Sequence, residues 1–322
     1  MNQPIDVVIT WVDGQDRQLT EKRKQYVQSD ELLHEDIAGT TRYTSIGEIQ
    51  WCIASINRFA PWVRRIFVVT DDQDPNLTPF LEAHFPEGYI PVEIVDHRQI
   101  FKGYEQFLPT FNSLSIETML WRIPGLSRHF LEMNDDFMLA APVSPEDFFV
   151  DEDTPICFAS KANMPLTRLT RLLKRRKDGT RRLTFKGKMI EAAKIAGYHW
   201  TFLKMDHTPR ALLRDVFEEC LGQHPELMER NIRYRFRDIN QFNVEELHYL
   251  HLARQKHLRL IKSRTVLFYL EPKKRKDYIR RKLARLRAGN YKFCCFNNLN
   301  QTTEAELRDI KAWIGETLNI NI

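Results

Sequence analysis

The chain has 322 residues, 43% hydrophobic and 28% charged, which excludes a fibrous or disordered protein and fits one large domain or two ordinary ones. A net charge of +5 permits an anionic ligand or surface without demanding one. No run approaches the roughly 18–20 apolar residues of a spanning helix. The opening MNQPIDVVITWVDG lacks the basic-then-apolar order of a secretory leader. Five cysteines (Cys52, Cys157, Cys220, Cys294, Cys295) are odd in number and have no CxxC spacing, so neither a structural zinc site nor a disulfide framework is expected. These features predict a cytoplasmic chain, for which peripheral association with the inner face of the membrane is also open.

In chain order, IDVVITWV over residues 5–12 is a β-branched apolar run of the kind that forms a buried parallel strand, and it ends in Asp13-Gly14. A polar, helix-prone stretch follows over roughly 15–36. Residues 48–59 carry Ile49, Ile53, Ile56 and Phe59 at helical spacing, and Ala60-Pro61 closes that helix. Strands are predicted over 65–70 (ending in Asp71-Asp72), 89–95 and 130–133 (ending in Asn134-Asp135-Asp136), with a helix over 111–123. This alternation predicts an α/β fold: a mostly parallel, Rossmann-like sheet with helices on both faces. The second half reads differently. A dense basic segment occupies 166–188, helical patterns follow at 209–221, 241–256 and 303–318, and a basic amphipathic run spans 273–287. The expectation is a single catalytic unit over 1–322. Residues 1–150 form its α/β core, and 151–322 supply a basic insertion and a helical C-terminal lobe that completes the site.

Three predicted strands end in acidic residues, and ligands of open α/β sheets bind beyond the carboxyl ends of the strands. Asp135 and Asp136 could hold Mg²⁺ or Mn²⁺, hard ions that take oxygen ligands and bridge diphosphates. A solvated turn or a helix cap explains any one such pair equally well. His207, in Asp206-His207-Thr208-Pro209, could act as a general base, and a surface histidine is the plainer alternative. The segment 233–238 offers guanidinium groups for bidentate phosphate contact, or a solvated charge run. The basic segments could meet an anionic membrane surface or an anionic polymer. Nucleic acid is not expected, because Phe185 alone interleaves the charges of 166–188.

Four blocks carry a family likeness: IDVVITWVDG at 5–14; TRYTSIGEIQWCIASINRFAPWVRRIFVVTDDQ at 41–73; LPTFNSLSIETMLWRIPGLSRHFLEMNDDFML at 108–139; and His207-Thr208-Pro209 with Phe236-Arg237 about thirty residues on. Together they resemble the Stealth family of bacterial capsular polysaccharide phosphotransferases, which is related to the N-acetylglucosamine-1-phosphotransferase of lysosomal targeting. Ser45 stands where the second block usually has aspartate, and Phe296-Asn297-Asn298 stands where the family usually reads asparagine-aspartate.

The resemblance implies transfer of a sugar-1-phosphate from a nucleotide sugar, with UDP-N-acetylhexosamines the commonest donors. The acceptor would be a glycan hydroxyl, the product a phosphodiester in capsular or cell-surface polysaccharide, and the leaving group a nucleoside monophosphate. It nominates Asp6, Asp136, His207 and Arg237 for chemistry, Trp11, Asp13, Arg42 and Asn112 for substrate, and Asp135 with Asp136 for metal. Two alternatives stand beside it. One is a metal-dependent glycosyltransferase that moves the sugar alone. The other is a non-catalytic basic protein that binds a membrane or polymer.

Overall fold

The structure, a computed structural model, describes residues 3–26, 46–172, 185–265, 267–270 and 277–322. Arg42, Ser45 and the basic stretches 173–184 and 271–276 lie outside the described residues.

Strand β1 (Ile5–Thr10) buries its first five residues and pairs in parallel on both sides, which is why its apolar run is continuous rather than alternating. With β2 (Ile66–Thr70), β3 (Val92–Asp96), β4 (His129–Asn134) and β9 (Arg210–Leu213) it makes a five-stranded sheet in the order β3-β2-β1-β4-β9. The first four strands run parallel and β9 closes the edge antiparallel to β4. The carboxyl ends of β1 to β4 therefore share one edge. The fold is α/β with a mostly parallel principal sheet.

Helix α1 (Arg17–Lys24) starts at Asp16, whose carboxylate caps Gln18 N–H at 2.8 Å. Helix α2 (Glu48–Phe59) occupies the span expected from the sequence. Its N-cap Gly47 has φ +106°, a conformation that needs glycine. Ile49, Cys52, Ile53 and Ile56 face the main core, while Trp51 and Ala54 face a second cluster. Fully burying each isoleucine is worth about 1.5–3 kcal/mol, so this helix is fixed by packing on both flanks. The predicted helix over 111–123 shrinks to α3 (Ser113–Glu117) and a 3₁₀ turn at Leu120–Arg122. Thr118 breaks it by turning its hydroxyl onto Leu114 O at 2.6 Å.

The second half contains more strand than its sequence suggests. β7 (Thr154–Asn163) pairs with β6 (Phe149–Asp151), β8 (Thr201–Met205) and β10 (Arg259–Ile261). A third sheet has the order β11-β12-β5, from Leu267–Leu270, Phe293–Phe296 and Phe137–Leu139. The helical pattern expected at 209–221 opens as strand β9, because Arg210–Leu213 is buried throughout and a short apolar run has no decisive period. Helices do form at α4 (Val244–Arg254), α5 (Tyr278–Ala288) and α6 (Glu304–Leu318). Helices α5 and α6 put Ile279, Leu283, Leu286, Ile310 and Ile314 into the second cluster beside β5, β11 and β12. No helix among the described residues is long and apolar enough to cross a membrane.

Candidate active site

At the end of β4 the chain turns through Asn134, Asp135 and Asp136 directly into β5. Both carboxylates line a narrow pocket with Glu48, Trp51, Cys52 and Phe296. Asp136 Oδ2 accepts from the Cys295 thiol at 3.5 Å, and Phe296 N–H donates to Asp136 O at 3.0 Å. Asp136 Oδ1 has no hydrogen-bond partner among the described residues. Burial, and then the neighbouring Asp136 and Glu48 charges, push Asp135 well above the usual carboxylate range. Burial and Glu48 raise Asp136 to about 6, although the Cys295 thiol works the other way. Arg210 acts on Asp136 only at a distance. An oxygen-only pair with an orphan oxygen and no ion pair among the described residues fits a hard divalent cation.

His207 reaches this turn from the other half of the chain. The β4–β9 ladder matches Glu132 with Arg210, and the chain runs back from Arg210 past the end of β4 to His207, which is exposed. The imidazole stacks on Tyr269, with ring centroids 5.1 Å apart. Tyr269 is the ladder partner of Cys295, whose thiol meets Asp136. Two neighbours thus link His207 to Asp136.

Arg237 is half-buried and donates to Ser113 Oγ at 2.7 Å. Its loop is clamped to the start of α3. Asn112 Nδ2 lies 2.9 Å from the carbonyl oxygens of Tyr234 and Phe236, Phe111 N–H donates to Arg235 O at 2.8 Å, and Phe111 stacks on Phe236. Asn112 is fully buried, so it holds the arginine loop from beneath. Trp11 is partly buried, and its indole Nε1 has no hydrogen-bond partner among the described residues. Asp13 Oδ1 accepts from Gln15 N–H at 2.9 Å, and the Asp13 backbone is held by Gln73 at the end of β2.

Asp6 stands apart. It lies near the amino end of β1, roughly 13 Å of strand away from the carboxyl edge. Both its oxygens are taken: Arg64 binds them at 2.8 and 2.6 Å, and Ser127 N–H adds a third bond at 2.7 Å. Asp135 and Asp136 share one pocket, His207 is linked to it through Tyr269 and Cys295, Trp11 and Asp13 lie on the same sheet edge, Arg237 lies on the loop beside α3, and Asp6 lies toward the other end of β1.

A buried charge network was not foreseen from the sequence. Glu117, Glu132 and Glu245 bring carboxylate oxygens within 4.8 Å of one another. Arg210 lies 3.0 Å from Glu132 and 3.7 Å from Glu245. Burial, then Glu245, raises Glu117 to about 8 and Glu132 well above its ordinary value. Burial opposes the charge on Arg210, but the three carboxylates outweigh it and keep the guanidinium protonated. Glu117 also feels Arg237, so the network runs from beneath β4 to the arginine loop. The available signal was a lone acid inside an apolar run, Glu132 within HFLEMN. Glu48, Tyr269 and Cys295 were also missed, because nothing local marks them.

Comparison with known proteins matches this arrangement to one family. Stealth protein conserved region 1 matches residues 3–31 and conserved region 2 matches residues 42–156, which takes in β1 to β6 and the Asp135-Asp136 turn. The chain belongs to the Stealth family. His207 and Arg237 lie beyond the matched regions. An exopolysaccharide phosphotransferase of Streptomyces coelicolor is 36% identical over 75% of this chain and 38% of its own length. The capsular polysaccharide phosphotransferase LcbA of Aeromonas hydrophila is 31% identical over 75% of this chain and 63% of its own. The Streptomyces relatives are much longer, and this chain spans about 40% of their length. Among solved structures, the bifunctional glycosyltransferase WbbM superimposes with a TM-score of 0.51 over 92% of this Stealth chain and 46% of WbbM, at 9% identity, which is a likeness of fold alone.

Proposed function

We propose that this Stealth protein transfers a sugar-1-phosphate from a nucleotide sugar to a glycan hydroxyl. The acceptor oxygen attacks the phosphorus that carries the sugar, the bond to the nucleoside monophosphate breaks, and the acceptor proton passes to His207. This reading is supported by the chain of neighbours that joins His207 through Tyr269 and Cys295 to Asp136, one of a carboxylate pair suited to a diphosphate's metal. The phosphotransferase names of the relatives agree with it.

Asp135 and Asp136 would hold Mg²⁺ or Mn²⁺, which supplies charge neutralisation on the diphosphate when bound. Arg237 braces a non-bridging oxygen of the transferring group, positioned by Asn112 and Ser113. Trp11 and Asp13 serve the donor from the β1 side, and Arg42 is assigned to the donor by the family likeness alone. Asp6 is assigned to holding the sheet rather than to chemistry. The whole described chain works as one unit, since β9 from the second half completes the sheet of the first.

The test is product analysis with a panel of UDP-N-acetylhexosamines and a glycan acceptor. Phosphorus NMR should show a new diester, with UMP released in equal amount. Release of UDP with a phosphorus-free product would make the protein a glycosyltransferase instead. His207→Ala should lower kcat by about 10²–10⁴-fold while donor binding persists.

A further inference from the structure

Beyond the Asp135-Asp136 turn lies a cavity of about 400 Å³ that the proposed chemistry has not used. Its walls come from the turn at Ser263–Thr265, from β11, from α5 and from Tyr291 just before β12. Four are aromatic (Phe268, Tyr269, Tyr278 and Tyr291) and three are cationic (Arg264, Lys282 and Arg285). Among the described residues no carboxylate lines it.

The cations are held by the aromatic walls. Lys282 Nζ lies 4.6 Å from the centre of the Phe268 ring, and Arg285 Nε donates to the Tyr291 hydroxyl at 3.1 Å. Tyr291 can lie where it does because residue 289 is glycine: a Cβ there would stand 2.3 Å from Tyr291 Cε2. Phe268 is buried beneath the floor, while the three tyrosines are half-buried and present ring area to the cavity. Flat aromatic area suits the apolar face of a sugar ring, and fixed cations suit phosphate or carboxylate groups along a glycan.

The cavity also has a place relative to the reaction. Tyr269 forms part of its wall and stacks on His207. One side chain, Tyr269, therefore connects the cavity to the residue assigned to receive the acceptor's proton. The donor diphosphate is assigned to Asp135 and Asp136, which Tyr269 reaches through its ladder partner Cys295.

We propose that this cavity is the acceptor subsite and that it takes a negatively charged glycan, its sugar rings on Tyr269, Tyr278 and Tyr291 and its anionic groups on Arg264, Lys282 and Arg285. The assignment rests on the transfer reaction proposed above for its direction, but the binding it describes can be measured without turnover.

The experiment is calorimetric titration of the whole protein with a phosphodiester-linked oligosaccharide, a neutral oligosaccharide of equal length and UDP-N-acetylglucosamine. The proteins compared are wild type, the double variant Lys282→Ala/Arg285→Ala, and Tyr278→Ala. These side chains lie at the surface or half-buried, so the fold should survive, and circular dichroism checks it. Wild type should prefer the anionic oligosaccharide to the neutral one. The double variant should lose about tenfold or more of that affinity while its affinity for the nucleotide sugar stays the same. Tyr278→Ala should weaken both oligosaccharides. In turnover assays the acceptor KM should rise with kcat and donor KM unchanged. Three results overturn the proposal: no binding of the anionic oligosaccharide by wild type, unchanged affinity in the double variant, or a loss confined to the nucleotide sugar. If the oligosaccharide binds as expected but no phosphodiester ever forms, the transfer reading fails and the glycan subsite stands.

Discussion

Three acidic strand ends on the same sheet edge look alike in sequence and fall into two kinds in the structure. At the ends of β2 and β3, Asp71 pairs with Lys22 at 2.8 Å, and Arg98 binds Asp72 at 3.0 Å and Asp96 at 2.7 Å. At the end of β4, Asp135 and Asp136 form no ion pair among the described residues, and burial pushes both carboxyls upward. The first group is neutralised by its own fold. The second keeps an oxygen without a partner among the described residues, which a bound cation can satisfy. An acidic strand end is therefore not a site by itself. The presence or absence of a cationic partner decides.

The largest effect expected of this contrast is at Asp136. Asp136→Asn should reduce turnover by about 10³-fold or more, since metal-assisted charge stabilisation is worth several kcal/mol at about 1.36 kcal/mol per decade. Excess chelator applied to wild type should do the same. Full activity in chelator after metal-free purification would remove the distinction between the two kinds of strand end.

Asp6→Ala comes next, and its effect should fall on stability. The variant leaves the half-exposed Arg64 in water and Ser127 N–H without its acceptor, at a cost of about 1–3 kcal/mol. Urea midpoints should shift accordingly, while the turnover of the molecules that remain folded is kept. A variant with normal stability and no turnover would return Asp6 to the chemistry.

A third prediction uses His97, buried behind the β2–β3 end. Burial lowers its pKa from 6.5 to about 4, although Asp71 and Asp96 pull the other way. The folded protein binds that proton less readily than the unfolded chain. The histidine's contribution is therefore present above pH 6.5 and is lost as pH falls toward 4. Between pH 7 and pH 5 the loss amounts to about 2 kcal/mol. Urea titrations at both pH values should show that much less acid sensitivity in His97→Asn, and equal sensitivity would contradict the assignment.

The smallest effect belongs to Asp72→Asn. Its side chain is 69% exposed, and such a pair is worth about 0–1 kcal/mol, so turnover and stability should both stay near wild type. A loss comparable to that of Asp136→Asn would mean that the paired strand ends take part after all.

Much of this was legible in the sequence, and for particular reasons. IDVVIT, IFVVT and the stripe of α2 are local patterns whose period or continuity fixes their element. Asn134-Asp135-Asp136 announced itself as a polar break after an apolar strand. The strands of the second half were not legible. β9 is four buried residues, and β12 is the apolar run FCCF; both lack a period long enough to separate strand from helix. Glu117, Glu132 and Glu245 each sit in a different element, and nothing in any one of those segments announces the other two.

The sequence by itself determined the α/β class, the parallel core strands and the family motifs, because these are written in contiguous residues and depend on side-chain period and turn chemistry. Tertiary structure decided which acids remain without a cation. It placed Lys22 on Asp71, Arg98 on Asp72 and Asp96, and Arg64 on Asp6, while among the described residues the Asp136 carboxylate received a thiol from Cys295, 159 residues away, and no cation. The charge state of a carboxylate depends on burial and on neighbours within a few ångströms, and those neighbours are brought together by folding rather than by position in the chain.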